Sequence, residues 1–268
     1  MSSQSAGLAL EGKVLVVIGG TTGIGLSAVR ALIGAGAEVV ALGLDPVAVE
    51  AASAELKSAA RVLCGDACNP ETPSEAIAEA LRRFGGFDGL YHVAGGSGRK
   101  FGDGPLHELT DTGWQVTLNL NLTSVVYSNR AAVRQFLSQG RGGVVLNVGS
   151  VLASSPSPRL FATHAYAAAK AGIEGLTRAC AAHYAPQNIR FNVLAPGLIA
   201  TPMSERAQKD ERISAFVRSK QPLDGGRIGE PGDLDAAAVF LLSDAARFVT
   251  GQVMAVDGGW SVTEGQLP

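Results

Sequence analysis

The chain has 268 residues, 46% hydrophobic and only 17% charged, which excludes a disordered or solvating protein and allows one large α/β domain or two small ones around a sizeable core. Lys and Arg number 22 against 24 Asp and Glu, so the charge balance favours neither nucleic acid nor an anionic membrane as a partner. The N-terminal Met-Ser-Ser-Gln-Ser-Ala-Gly has neither a basic start nor an apolar stretch, and no run of about 20 apolar residues follows, so a cytoplasmic protein is expected.

Residues 1–10 read as a flexible polar tail. Residues 13–18 are an apolar run, expected as a strand buried on both faces, and lead into Gly19-Gly-Thr-Thr-Gly-Ile-Gly25 and a helix over 26–33. Strand, glycine turn and helix in succession are what a dinucleotide-binding fingerprint requires. Gly19 permits the tight turn, Gly23 lets backbone approach a pyrophosphate, Gly25 lets the helix pack on the strand, and the helix N-terminus faces the anion. A second strand over 38–45 ends at Asp45, and Pro46 opens the next helix, to 57. An acid at this strand end meets the adenosine ribose; with no Arg or Lys in the segment and Thr22 before Gly23, NAD is expected over NADP. Asp45 can equally cap the following helix.

A third strand over 61–64 leads to Asp66, which either bonds an adenine amino group or caps a turn, and a helix follows over 73–84. Cys64, Cys68 and Cys180 cannot all pair, no second Cys or His pair offers metal spacing, and buried or half-buried thiols are expected. The fourth strand, 87–94, ends in Gly95-Gly-Ser-Gly98, and a polar loop over 99–110 precedes a long helix over 111–137. Asn119 and Asn121 interrupt the apolar face of that helix, so one of them bends it or holds a water. The fifth strand, 143–150, places Ser150 at its carboxyl end; a proline-containing linker over 151–163 leads to a helix reaching 184. The sixth strand, 189–195, ends at Pro196-Gly197. Two short charged helices are expected over 201–220, a hinge at Gly225-Gly226, a last helix from Pro231 to 242 and a seventh strand over 251–257. This alternation predicts a parallel sheet with helices on both faces in one domain, 1–268.

The helix after the linker carries Tyr166 and Lys170, four apart and therefore on one face. Moving a phenol from about 10 to about 7 requires roughly 4 kcal/mol of differential stabilisation of the phenolate. A cation about 4 Å away supplies about 1 kcal/mol in water and about 4 at an effective dielectric near 20. Shielding from water therefore separates an acid/base pair from an ordinary exposed helix face.

Taken together, Gly19-x-x-x-Gly23-x-Gly25, the Asp66 turn, Ala94-Gly95, Trp114 with Asn121, Asn147-Val-Gly-Ser150, Tyr166-x-x-x-Lys170, Pro196-Gly197 with Thr201, and Asp257-Gly258-Gly259 make the chain resemble the short-chain dehydrogenase/reductase family over nearly its full length. The resemblance implies an α/β, single doubly wound Rossmann-type domain whose seven-stranded parallel sheet is ordered 3-2-1-4-5-6-7. It also implies an NAD(P)-dependent oxidoreductase acting on a secondary alcohol or its ketone, working as a homotetramer or homodimer. Tyr166 would be the general acid in reduction and base in oxidation. Lys170 would lower its pKa and bond the nicotinamide ribose. Ser150 would polarise the substrate oxygen, and Asn121 would hold the long helix open for a proton-carrying water. The implied cofactor bed comprises Gly19, Thr21, Thr22, Gly23, Ile24 and Gly25 at the first turn. It continues with Asp45, Asp66, Ala67, Ala94 and Gly95, then Tyr166 and Lys170, and ends with Pro196, Gly197, Ile199 and Thr201, the last orienting the carboxamide. Residues 198–226 would form the substrate loop.

Departures from the family pattern are Ile18 for Thr, His92-Val93 for an Asn pair, Gly149 for the first of two serines and Ala169 for Ser. The long gap from Ser150 to Tyr166 leaves Ser154 and Ser155 as rivals, with Ser150 preferred because it ends a strand. Leu152, Phe161, Leu198, Met203 and Phe216 either line an apolar pocket for a hydrophobic or cyclic substrate or pack the core. His92, His107, His164 and His183 are read as non-catalytic, and Tyr184 and Trp260 as packing residues. A sugar-nucleotide epimerase or dehydratase, and a cofactor-sensing regulator that binds NAD(P) without turnover, are the competing readings. The three-then-one glycine spacing argues against the first; an intact Asn121, Ser150, Tyr166 and Lys170 argue against the second.

Overall fold

Seven parallel strands form one sheet in the order β3-β2-β1-β4-β5-β6-β7 in the computed structural model, which describes residues 9–266. The strands are β1 (Val14–Ile18), β2 (Glu38–Gly43), β3 (Ala60–Cys64), β4 (Gly89–His92), β5 (Gly143–Val148), β6 (Ile189–Pro196) and β7 (Val253–Val256). Most of the tail expected over 1–10 lies outside the described residues. Leu10 does not fit that expectation: it is fully buried and its N–H donates to the Ala35 carbonyl at 2.7 Å, a burial that contributes about 1.5–3 kcal/mol.

The apolar runs make strands because both faces of the sheet are covered. Along β1, Leu15 and Val17 point into the layer shared with α1 (Gly23–Gly34) and α9 (Asp235–Leu242), while Val14, Val16 and Ile18 point into the layer of α3 (Thr72–Phe84) and α5 (Ser124–Gln139). Ile18, standing where the family pattern has Thr, is a core residue of the second layer. Cys64 departs from expectation: it is exposed on edge strand β3, whereas Cys68 and Cys180 are half-buried.

The uninterrupted helix expected over 111–137 is instead α4 (Asp111–Leu118), one wide turn over Asn119–Thr123, and then α5. The cause is Asn121, whose side-chain Nδ2 donates to the Thr117 carbonyl at 2.9 Å. It replaces the backbone bond that the wider register gives up, the usual origin of such a bulge. The other helices are α2 (Pro46–Leu56), α6 (His164–Tyr184), and the short pair α7 (Glu205–Lys209) and α8 (Glu211–Lys220) expected beyond β6. Pro231 opens a 3-10 turn, not α9 itself.

Chain direction across the sheet reverses between β1 and β4. Their carboxyl ends therefore open a crevice, the place where folds of this kind bind ligands.

Candidate active site

Glycines build the crevice floor. Gly19 has φ +86°, and a Cβ there would stand 2.6 Å from the Ala94 nitrogen, while a Cβ on Gly25 would collide with the Gly19 carbonyl oxygen. Helix α1 begins at Gly23 with no side-chain cap and no acid in its first turn, leaving its leading N–H groups for an anion. Two joined cavities run along the floor, of about 590 Å³ and about 290 Å³, with Ile24, Gly95 and Thr201 lining both.

The smaller cavity is walled by Gly19, Thr21, Thr22, Gly23, Asp45, Asp66, Ala67 and Ala94. Asp45 is the N-cap of α2, its Oδ1 accepting the Val47 N–H at 3.1 Å. It also faces the cavity, so the two readings of Asp45 are compatible. Asp66 likewise accepts the Cys68 N–H at 2.8 Å while lining the same wall. Among the described residues lining this cavity there is no Arg or Lys.

The larger cavity gathers Asn121, Ser150, Tyr166 and Lys170 with Pro196, Gly197, Ile199 and Thr201. Lys170 is buried; its Nζ lies 5.6 Å from the centre of the Tyr166 ring and donates to the Val148 carbonyl at 2.8 Å. Burial brings the ammonium down to about 8. Burial also pushes the Tyr166 phenol up to about 12, opposed by its hydrogen-bonding neighbour Ser150. This corrects the expectation of a phenol lowered by its lysine. The same shielding disfavours both charged forms, and for Tyr166 burial outweighs the hydrogen bond from Ser150. Tyr166 thus rests as the neutral, proton-bearing phenol.

β5 stops at Val148, two residues short of the expected end, and Ser150 instead caps the 3-10 turn that follows, its hydroxyl accepting the Leu152 N–H at 3.2 Å and lining the cavity wall. Ser154 and Ser155 do not reach that wall, and the Ser155 carbonyl is taken by the Trp260 indole N–H at 3.1 Å. Asn121 is fully buried; its Oδ1 accepts the Gly96 N–H at 3.1 Å and its Nδ2 donates to the Gly96 carbonyl at 2.9 Å, so it clamps the loop after β4. His92 explains how that loop manages without an Asn pair. The Ala94 carbonyl, 3.1 Å from Nε2, can only accept, so Nε2 carries the proton and Nδ1 accepts from the Ser128 hydroxyl at 2.9 Å. Burial, with Lys170 nearby, lowers His92 to about 3 and keeps it neutral.

Sequence reasoning missed Asp103. This buried carboxylate, in the segment taken for a plain polar loop, accepts the N–H groups of Ala165 at 3.0 Å and Tyr166 at 3.1 Å. It caps α6 from 62 residues away, where no local pattern could reveal it. Thr163, at the N-cap position of α6, makes no side-chain cap, and its hydroxyl donates instead to the Phe161 carbonyl. Leu152, Phe161, Leu198 and Met203 line the larger cavity as the pocket reading requires. Phe216 does not; it packs behind Trp260, rings 5.6 Å apart, and Trp260 takes the wall position.

The family model described as "Enoyl-(Acyl carrier protein) reductase" matches residues 19–261. The chain is 34% identical over 252 residues to 2-dehydro-3-deoxy-D-gluconate 5-dehydrogenase of Escherichia coli (strain K12), covering 94% of this chain and 96% of that protein. The chain belongs to the short-chain dehydrogenase/reductase family. Cis-4-hydroxycyclohexanecarboxylate dehydrogenase of Sinomonas cyclohexanicum is 35% identical over 257 residues, covering 95% of this chain and 99% of that enzyme. A solved short-chain type dehydrogenase/reductase from Mycobacterium ulcerans superposes with a TM-score of 0.87 at 32% identity, covering 96% of this chain and 92% of the other. As a member of this family, the protein is an NAD(P)-dependent oxidoreductase acting on CH–OH groups.

Proposed function

We propose that the whole chain works as one dinucleotide-binding and catalytic unit that interconverts a secondary alcohol, cyclic or apolar in body, and its ketone. The carrying observation is the convergence of Ser150, Tyr166 and Lys170 on one cavity that continues into a glycine-floored crevice. A bound nicotinamide supplies the hydride in reduction and accepts it in oxidation. Tyr166 gives its proton to the carbonyl oxygen, in keeping with its neutral resting state. Ser150 donates a hydrogen bond to the same oxygen. Lys170 keeps a positive charge beside the phenol and bonds the ribose, while Asn121 fixes the loop that forms the far wall.

NAD is the preferred cofactor in this reading. Asp45 turns a carboxylate toward the smaller cavity, and the absence of a cation among its described lining leaves a 2′-phosphate unpaired. Residues 198–226 serve as the substrate loop, and the protein works in the cytoplasm as a homotetramer or homodimer. The relatives named above are dehydrogenases of a sugar acid and of a cyclic hydroxy acid, which supports an alcohol or ketone substrate over sugar-nucleotide chemistry. A turnover screen of cyclic and aliphatic alcohols and ketones with NADH and NADPH side by side tests the reading. Turnover with NADH is expected, and a clear preference for NADPH would overturn the assignment of Asp45.

A further inference from the structure

The larger cavity has a chemical asymmetry that hydride transfer does not account for. One wall is apolar, made by Leu152, Phe161, Leu198 and Trp260. At its mouth stand three cations on two separate segments: Arg99 and Lys100 on the loop after β4, and Arg206 on α7. Among the described residues lining the cavity there is no Asp or Glu to balance them.

Nor are these cations spent elsewhere. Among the described residues none of the three forms an ion pair, whereas Arg30, Arg141 and Arg227 each hold a carboxylate. Arg99 has only a long bond of 3.4 Å to the Leu160 carbonyl, and Lys100 lies over the ring of its neighbour Phe101. Asp103 stands near Arg99, yet both of its oxygens are committed to the backbone of α6. Arg99 is held below the usual guanidinium range first by burial and then by Arg206 across the opening. Two like charges lining one cavity without a counterion among its described lining are unfavourable until an anion joins them. The same loop that Asp103 ties to the N-terminus of α6 carries Arg99, so the cation is positioned relative to Tyr166.

The glycine turn and its helix N-terminus, where a pyrophosphate belongs, lie at the other cavity, which neither arginine touches. An anion at the mouth therefore belongs to the second substrate. Resting on the oxidoreductase reading above, we propose that Arg99 and Arg206 form an anion subsite and that the substrate is a hydroxy or oxo carboxylic acid. Its apolar or cyclic body lies on the Leu152–Phe161–Leu198 wall, its carboxylate sits between the two guanidiniums, and its carbinol or carbonyl is at Ser150 and Tyr166. The carboxylate is unchanged by the reaction and serves to orient the substrate.

The test is titration calorimetry on the full chain with 4-oxocyclohexanecarboxylate, its neutral carboxamide, and cyclohexyl phosphate, with NADH binding measured separately. The carboxylate is expected to bind at least about tenfold more tightly than the amide, the reach of hydrogen bonds to charged groups, and to lose that advantage as salt is raised. In Arg99→Gln and Arg206→Gln the carboxylate-to-amide ratio, in binding and in kcat/KM, falls toward one. Equal binding of acid and amide by the unmodified protein, or a ratio that survives both substitutions, would overturn the subsite. Tighter binding of the phosphate than of the acid would overturn the choice of carboxylate. Failure to bind NADH would count against the oxidoreductase reading, a separate result from either.

Discussion

The carboxylate of Asp103 accepts the backbone N–H of Tyr166 at 3.1 Å, so the residue proposed to handle the proton is held in place by a side chain from another loop. Asp103 is a positioning residue. Asp103→Ala is expected to cost about 0.5–2 kcal/mol, as loss of a helix cap does, and to lower kcat while NADH affinity is retained. Asp103→Asn, which can still accept one of the two bonds, should recover part of both. Thermal unfolding and steady-state kinetics on the two variants check this; a purely structural cap would lower stability with kcat intact.

Asp45 has two duties that one substitution can separate. Asp45→Ala removes the cap of α2 and should cost about 0.5–2 kcal/mol, because its Oδ1 accepts the Val47 N–H. Leu44→Arg leaves that cap alone and, at an exposed position, places a cation on the wall of the smaller cavity. Its NADPH-to-NADH ratio of kcat/KM should rise well above that of the unmodified protein, which is expected to favour NADH.

His92 makes stability sensitive to acid. Its pKa is about 3 in the fold against an ordinary 6.5, so between those values the unfolded chain binds a proton that the folded chain lacks. Stability contributed here therefore rises with pH across that window and is lost on acidification. His92→Asn, the residue of the family pattern, should flatten the decline in melting temperature between pH 7 and pH 4. An unchanged acid limb would contradict the assignment of His92 as a buried neutral ring.

In the proposed reaction, Lys170 is expected to set the alkaline limit of reduction. With its ammonium brought down to about 8, reductive kcat/KM should fall above that pH, well before an ordinary lysine would titrate. A profile level to pH 10 would contradict a role for the charged form.

The elements whose cause is local were legible before the structure. The apolar runs of β1, β2 and β5, the glycine turn and the Tyr166 helix follow from periodicity and turn chemistry, and all seven strands were anticipated, with ends shifted by a few residues. What was hidden depends on contacts between distant segments. Asp103 reaches α6 across the chain, and Leu10 was assigned to a tail although it closes the core against Ala35. The sequence points to either Asn119 or Asn121 as the residue that bends the long helix or holds a water; that it is Asn121, and that it makes the wide turn and clamps Gly96, depends on where the loop after β4 comes to rest. The upward shift of Tyr166 is not legible in the sequence, because spacing reports the neighbouring charge but not the desolvation that raises the phenol.

The most direct measurement compares the unmodified protein with Tyr166→Phe for dinucleotide-dependent turnover of a cyclic alcohol or ketone, with NADH binding followed in the same samples. Removing the phenolic proton should lower kcat by roughly 10²–10⁴-fold, the usual contribution of a positioned acid/base group, while NADH binding stays as it was. A Tyr166→Phe protein that turns over at the original rate would contradict the account, as would an unmodified protein that binds no dinucleotide.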